Sequence, residues 1–99
     1  MSATPLRLDG ELTIYRAAEL KDVLLAAVAA NETLEIDLSA VEEFDTAGVQ
    51  LLLLAKREAG ARGGALRLSG HSAPVLDAFQ RLDLAAHFGD PLVVPAPAL

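Results

Sequence analysis

The sequence contains no cysteine. That excludes a disulfide scaffold, a thiolate metal site and a cysteine nucleophile, and it fits a reducing compartment. Tryptophan is also absent and aromatics are scarce, so Leu, Ala and Val must supply the core. Long apolar runs are missing. The longest stretches from Val49 to Ala55, is interrupted by Gln50 and ends at Lys56 and Arg57, whereas a membrane-crossing helix needs about 20 apolar residues. The N-terminal MSATPLRLDG has no basic stretch followed by an apolar one, so it does not read as a signal peptide. A soluble, cytoplasmic protein is the expectation. Excess positive charge is lacking too: the formal net charge is −6 and the basic residues are scattered. Duplex nucleic acid is not expected as a partner, because binding it requires a clustered basic surface. The acidic balance favours solubility and can steer a basic partner surface toward the chain.

Enzymatic signatures are missing as well. There is no Gly-rich phosphate loop ending in Lys-Ser/Thr and no dinucleotide-binding glycine pattern after a strand. His71 and His87 stand far apart without metal-ligand spacing. Ser39, Ser69 and Ser72 lack an obvious base and read as loop and cap residues. Glu42, Glu43 and Asp45 form an acidic cluster, and paired carboxylates can serve acid–base chemistry. With no apolar pocket or cation beside them, they read as solvated surface. The expectation is a non-enzymatic protein with no catalytic residue, metal or cofactor.

What is present is a core. Of the 99 residues, 53% are apolar, enough for one domain, expected over residues 1–92 with a Pro-rich tail over 93–99. Leu6 and Leu8, then Leu12 and Ile14, alternate with polar residues on either side of Asp9-Gly10. An Asp-Gly pair between alternating runs signals a hairpin, with strands at 5–9 and 11–15. Leu20, Val23, Leu24, Ala27 and Val28 recur at helical spacing over about 16–30, with Asn31 suited to a left-handed C-terminal position. TLEIDLS alternates as a strand, and residues 39–44 read as a loop. DTAGVQLLLLAKREAGARGG opens a second helix with Val49, Leu52, Leu53 and Ala59 inward, closed by Gly63-Gly64. ALRLSG is a fourth strand. Ser72 and Pro74 start a third helix, as cap and first-turn proline, with Val75, Leu76, Phe79 and Leu82 as its apolar face. Leu84 and Phe88 are expected to pack back onto the domain.

The order β-β-α-β-α-β-α implies mainly parallel pairs joined by right-handed crossovers. Parallel strands covered on both faces read as continuous apolar runs, but these strands alternate. The fold class is therefore α/β: a small mixed sheet, an N-terminal hairpin and otherwise mainly parallel strands, with helices on one face.

One segment carries chemistry. Asp45-Thr46-Ala47-Gly48 sits where the chain enters the second helix. Asp45 is a good N-cap. Gly48 costs helix stability, about 1 kcal/mol relative to Ala, and its lack of a side chain permits another group to approach closely. Thr46 becomes an exposed hydroxyl at the positive end of a helix dipole, a favourable place for a phosphate. By itself, a Thr beside a cap is an ordinary helix start.

The stretch TLEIDLSAVEEFDTAGVQLLLLAKREAG resembles the signature of STAS domains, the anti-sigma-factor antagonist family: a strand ending in Asp-Leu-Ser, a short loop, then Asp-Ser/Thr-x-Gly opening a Leu-rich helix. GELTIYRAAELK is similar to that family's second strand and first helix, and the resemblance covers residues 5–88. It implies a small sheet flanked on one side by helices. It implies a phosphoacceptor at Thr46, with Asp45 and Gly48 shaping its loop, Asp37 and Ser39 lining the nearby strand end, and Ala47 and Gln50 completing a partner-binding face. The implied partners are a kinase-type anti-sigma factor, which phosphorylates the antagonist, and a phosphatase that resets it. The acceptor is Thr where Ser is commoner, and Ala47 follows it. This variant also resembles STAS proteins of chemotaxis arrays and STAS subunits of lipid-transporting ABC systems, where the domain binds an ATPase subunit.

Overall fold

A computed structural model describes residues 5–82. Three strands, β1 (Leu6–Leu12), β2 (Thr33–Phe44) and β3 (Ala65–Ser69), alternate with three helices, α1 (Ala17–Ala30), α2 (Thr46–Ala61) and α3 (Ala73–Leu82). A single 3-10 turn, Ile14–Arg16, joins β1 to α1. The sheet order is β1-β2-β3 and both pairings are parallel. Two crossovers of one hand moving in one direction place their helices on one side, and α1 does pack against α2. Leu8, Leu12, Leu34, Ile36, Leu38 and Leu68 of the sheet share one core with buried side chains of all three helices. The alternating strands thus bury one face, as expected. The packing of Leu84 and Phe88, the site of His87 and the Pro-rich tail all lie outside the described residues.

The N-terminal hairpin does not form. The two alternating runs are one strand, Leu6–Leu12, paired in parallel with β2, and Ile14 and Tyr15 lie in the 3-10 turn. Gly10 has the positive φ that suggested a turn, 71°, but it spends that freedom inside the strand. Leu6, Leu8, Gly10 and Leu12 keep one period-2 phase through the Asp-Gly pair. A straight strand buries Leu8 and Leu12 together and lets β1 pair along its length with the central strand. The guanidinium of Arg16 reaches back to the carbonyls of Asp9 (2.7 Å) and Glu11 (3.3 Å), holding the turn against the strand it follows.

The expected loop at 39–44 is also strand. Between Leu6↔Ile36 and Leu12↔Phe44, β1 advances six residues and β2 eight, with register shifts between Arg7 and Asp9 and between Gly10 and Glu11. Both extra residues lie on β2, as bulges. They put Leu38 and Val41, three apart, in the same core, which hides the strand from a period-2 reading.

Two helix ends differ in detail. Asn31 is extended rather than left-handed (φ −134°, ψ 131°). It caps α1 through its side chain, Nδ2 donating to the Ala27 carbonyl at 2.9 Å, one of the acceptors a helix C-terminus leaves open. At α3, the Ser72 carbonyl accepts from Leu76 N at 2.7 Å, so Ser72 stands at the cap position, but its buried hydroxyl makes no hydrogen bond among the described residues. Val75, Leu76 and Phe79 are buried as expected, whereas Leu82 is 53% exposed.

Candidate functional site at the start of the second helix

Asp45 organises the site. Its backbone is extended (φ −124°, ψ −169°), as an N-cap requires. Its Oδ1 accepts from the amides of Ala47 (2.8 Å) and Gly48 (3.3 Å). Its Oδ2 accepts from the amide of Ile14 at 3.3 Å, and its own amide donates to the Leu12 carbonyl at 3.3 Å. One carboxylate therefore ties the start of α2 to the turn after β1. Asp45 already holds the first-turn N–H groups of Ala47 and Gly48, which are therefore not open to a phosphate on Thr46.

Gly48 is buried, and the reason is close approach. A Cβ there would lie 2.5 Å from the Leu12 carbonyl oxygen and 2.8 Å from the Phe44 ring. It shapes the site from beneath and presents nothing outward. Thr46, the first residue of α2, is exposed. On one side it borders a cleft of about 220 Å³ lined by Phe44, Val49, Ala78, Arg81 and Leu82. On the other, Ala47 and Gln50 line a groove of about 410 Å³ with Ile14, Ala17, Leu54 and Arg57. Asp45, Thr46, Ala47 and Gln50 thus share one surface.

Asp37 and Ser39 do not join it. β2 continues seven residues from Asp37 to Phe44, about 20 Å of strand allowing for the bulges. Asp37 lies instead beside Ser69, its register partner on β3. Its Oδ1 accepts from the Ser39 amide at 2.9 Å. That amide, and after it the Ser39 hydroxyl, holds the Asp37 carboxyl below its ordinary value, against a smaller opposing effect of burial. A lowered folded-state pKa contributes stability above the unfolded value that is lost as pH falls through the folded one. Asp37→Asn is therefore expected to be less stable than the parent at neutral pH, with the gap closing below about pH 4, as denaturant melts across that range would show.

Sequence reasoning missed Ile14 and Tyr15, 69% and 89% exposed, on the turn beside Asp45. The one signal for that turn is Thr13, a residue type suited to capping, which accepts from Tyr15 N at 3.3 Å. Glu42 and Glu43 are exposed strand residues rather than loop residues. His71 lies edge-on to Phe79, ring centroids 5.1 Å apart at 76°. Among the described residues, no three His, Asp or Glu side chains are grouped to hold a metal ion, and no helix is long and apolar enough to cross a membrane.

Comparison with known proteins identifies the family and the fold. The chain matches the family described as Mlab, STAS domain, over residues 2–94. No curated protein matches it. Among solved structures it is similar to the anti-sigma factor antagonist SpoIIAA in its unphosphorylated form, with 26% identity, a TM-score of 0.70, and coverage of 93% of this chain and 85% of that one. Such a fold is of the non-enzymatic binding-module type. With its parallel sheet, its helices on one face and Asp-Thr-x-Gly at the start of α2, the chain belongs to the STAS-domain family.

Proposed function

We propose that the protein is a regulatory binding module that docks on a kinase-type anti-sigma factor and is switched off by phosphorylation of Thr46, with a phosphatase restoring the active form. The observation that carries this reading is the setting of Thr46: an exposed hydroxyl opening α2, between a cleft of mixed character, with Asp45 and Arg81 beside Phe44, Val49 and Leu82, and a mainly apolar groove. A face of that kind suits a partner, and a hydroxyl at its centre is where added charge disrupts contact most. The likeness to an anti-sigma factor antagonist supports the choice of partner. Binding is tested by titrating the protein into purified anti-sigma factor kinases from its own genome. With ATP, one of them is expected to transfer phosphate to the wild type and none to Thr46→Ala. Binding to no protein of that fold defeats the reading.

The Thr46-Ala47-Gly48 sequence favours a second reading, a constitutive subunit on the ATPase of an ABC-type lipid transporter. There Thr46 is a contact and not an acceptor. Binding to such an ATPase that ATP does not reverse distinguishes it.

A further inference from the structure

The surface around Thr46 has a second prominent feature that the phosphoswitch does not use. The turn after β1 holds an aromatic side chain almost entirely in water: Tyr15 is 89% exposed, with Ile14 beside it at 69%. The turn is held in place. Thr13 is buried and caps it, Arg16 fastens it to the carbonyls of Asp9 and Glu11, and Asp45 bonds the Ile14 amide while capping the helix that begins with Thr46. An exposed Tyr on a restrained turn loses little freedom on docking, and Tyr is among the residues most enriched at binding hot spots.

The charges nearby indicate what covers it. Glu11 is paired in register with Glu43, Glu42 falls at the bulge beside them, and Asp45 follows one residue after Phe44. Like charges set side by side across two strands cost stability, and these four carboxylates outnumber the two cations beside the turn, Arg16, which is paired with Glu19, and Arg57 of the groove, so this end of the sheet is acidic. In a two-fold contact a second copy of the chain would set one such end against another, which favours a different protein as the occupant. We propose that Tyr15 is the specificity-determining anchor of the docking surface, entering an apolar pocket with a basic rim on the partner that also covers Thr46. This rests on the docking function proposed above and identifies a feature of the partner's face.

The experiment is isothermal titration of full-length variants into the purified anti-sigma factor kinase, at low and moderate salt. Tyr15→Ala is expected to weaken binding about tenfold or more with an unchanged melting temperature, since the side chain makes little contact within the fold. Tyr15→Phe is expected to retain binding, as is Val23→Ala, a half-exposed apolar truncation on α1. Glu42→Gln with Glu43→Gln is expected to reduce the salt dependence of binding. Affinity of Tyr15→Ala within twofold of wild type overturns the proposal. Loss of binding in Tyr15→Ala but not in Thr46→Glu sustains the anchor and removes the switch; the reverse removes the anchor and sustains the switch. If the wild type binds only a transporter ATPase, the kinase reading falls, and the same Tyr15→Ala comparison on that ATPase decides the anchor. Binding to neither protein ends both.

Discussion

Gly48→Ala is expected to destabilise the protein by about 2 kcal/mol, although Ala is the better helix former by about 1 kcal/mol. The added methyl would lie 2.5 Å from the Leu12 carbonyl oxygen and 2.8 Å from two atoms of the Phe44 ring. The carbonyl cannot simply turn aside, because it accepts the Asp45 amide and ends β1 where Leu12 is fully buried. Phe44 is held too, its ring 6.3 Å from that of Phe79 in the core. Overpacking a fixed site costs about 1–3 kcal/mol and occasionally more, which exceeds the propensity gain. The comparison is Gly60→Ala, on the same helix with no atom within 4 Å of an added Cβ. There only propensity acts, and a gain of up to about 1 kcal/mol is expected. Urea melts of the two variants should shift in opposite directions. Equal stabilisation by both would mean that Gly48 is not a packing position and that the approach of β1 to α2 is looser than described.

The same contact shows where sequence reasoning was strong. A glycine in the first turn of an apolar helix is a local inconsistency, and close approach of another backbone is its physical resolution. The Asp45 cap was legible for a similar reason, since the side chain acts within its own turn. The misreadings share a different cause. Asp9-Gly10 has the chemistry of a hairpin turn, but the in-phase run Leu6, Leu8, Gly10, Leu12 favours one strand, and only pairing with β2 decides between them. The reach of β2 to Phe44 was hidden because its two bulges break the alternation, and a bulge answers to the neighbouring strand rather than to local sequence. Tyr15 followed the hairpin into error: in a strand its exposure would be unremarkable, and on a pinned turn beside Thr46 it becomes a prominent feature of the surface. The family resemblance puts Asp37 and Ser39 near Thr46, but β2 runs on from Ser39 to Phe44 and carries them away from it.

Charge at Thr46 should act on binding far more than on folding, and the geometry of Asp45 gives the stability effect a sign. A phosphate brings about −1.5 to −2 at neutral pH. The dipole of α2 favours an anion there, but the amides of Ala47 and Gly48 already bond Asp45, so the new charge meets a carboxylate one residue away rather than a vacant nest of donors. Thr46→Glu is therefore expected to cost under about 1 kcal/mol of stability, the repulsion from Asp45 being offset in part by the dipole. Asp45→Asn keeps a side-chain oxygen for the cap and removes the opposing charge, so Thr46→Glu made in that background should cost less. A double-mutant cycle by denaturant melts reads the difference directly. Against the partner the effect is larger, because a charge introduced into a face that buries a neutral hydroxyl must be desolvated without compensation. Titration of Thr46→Glu into the partner should show affinity reduced tenfold or more, with Thr46→Ala close to wild type. Equal affinity of the Glu variant and the wild type would leave Thr46 as an ordinary first residue of a helix. A stability cost that persists undiminished in the Asp45→Asn background would show that the Asp45 carboxylate is not what the added charge opposes.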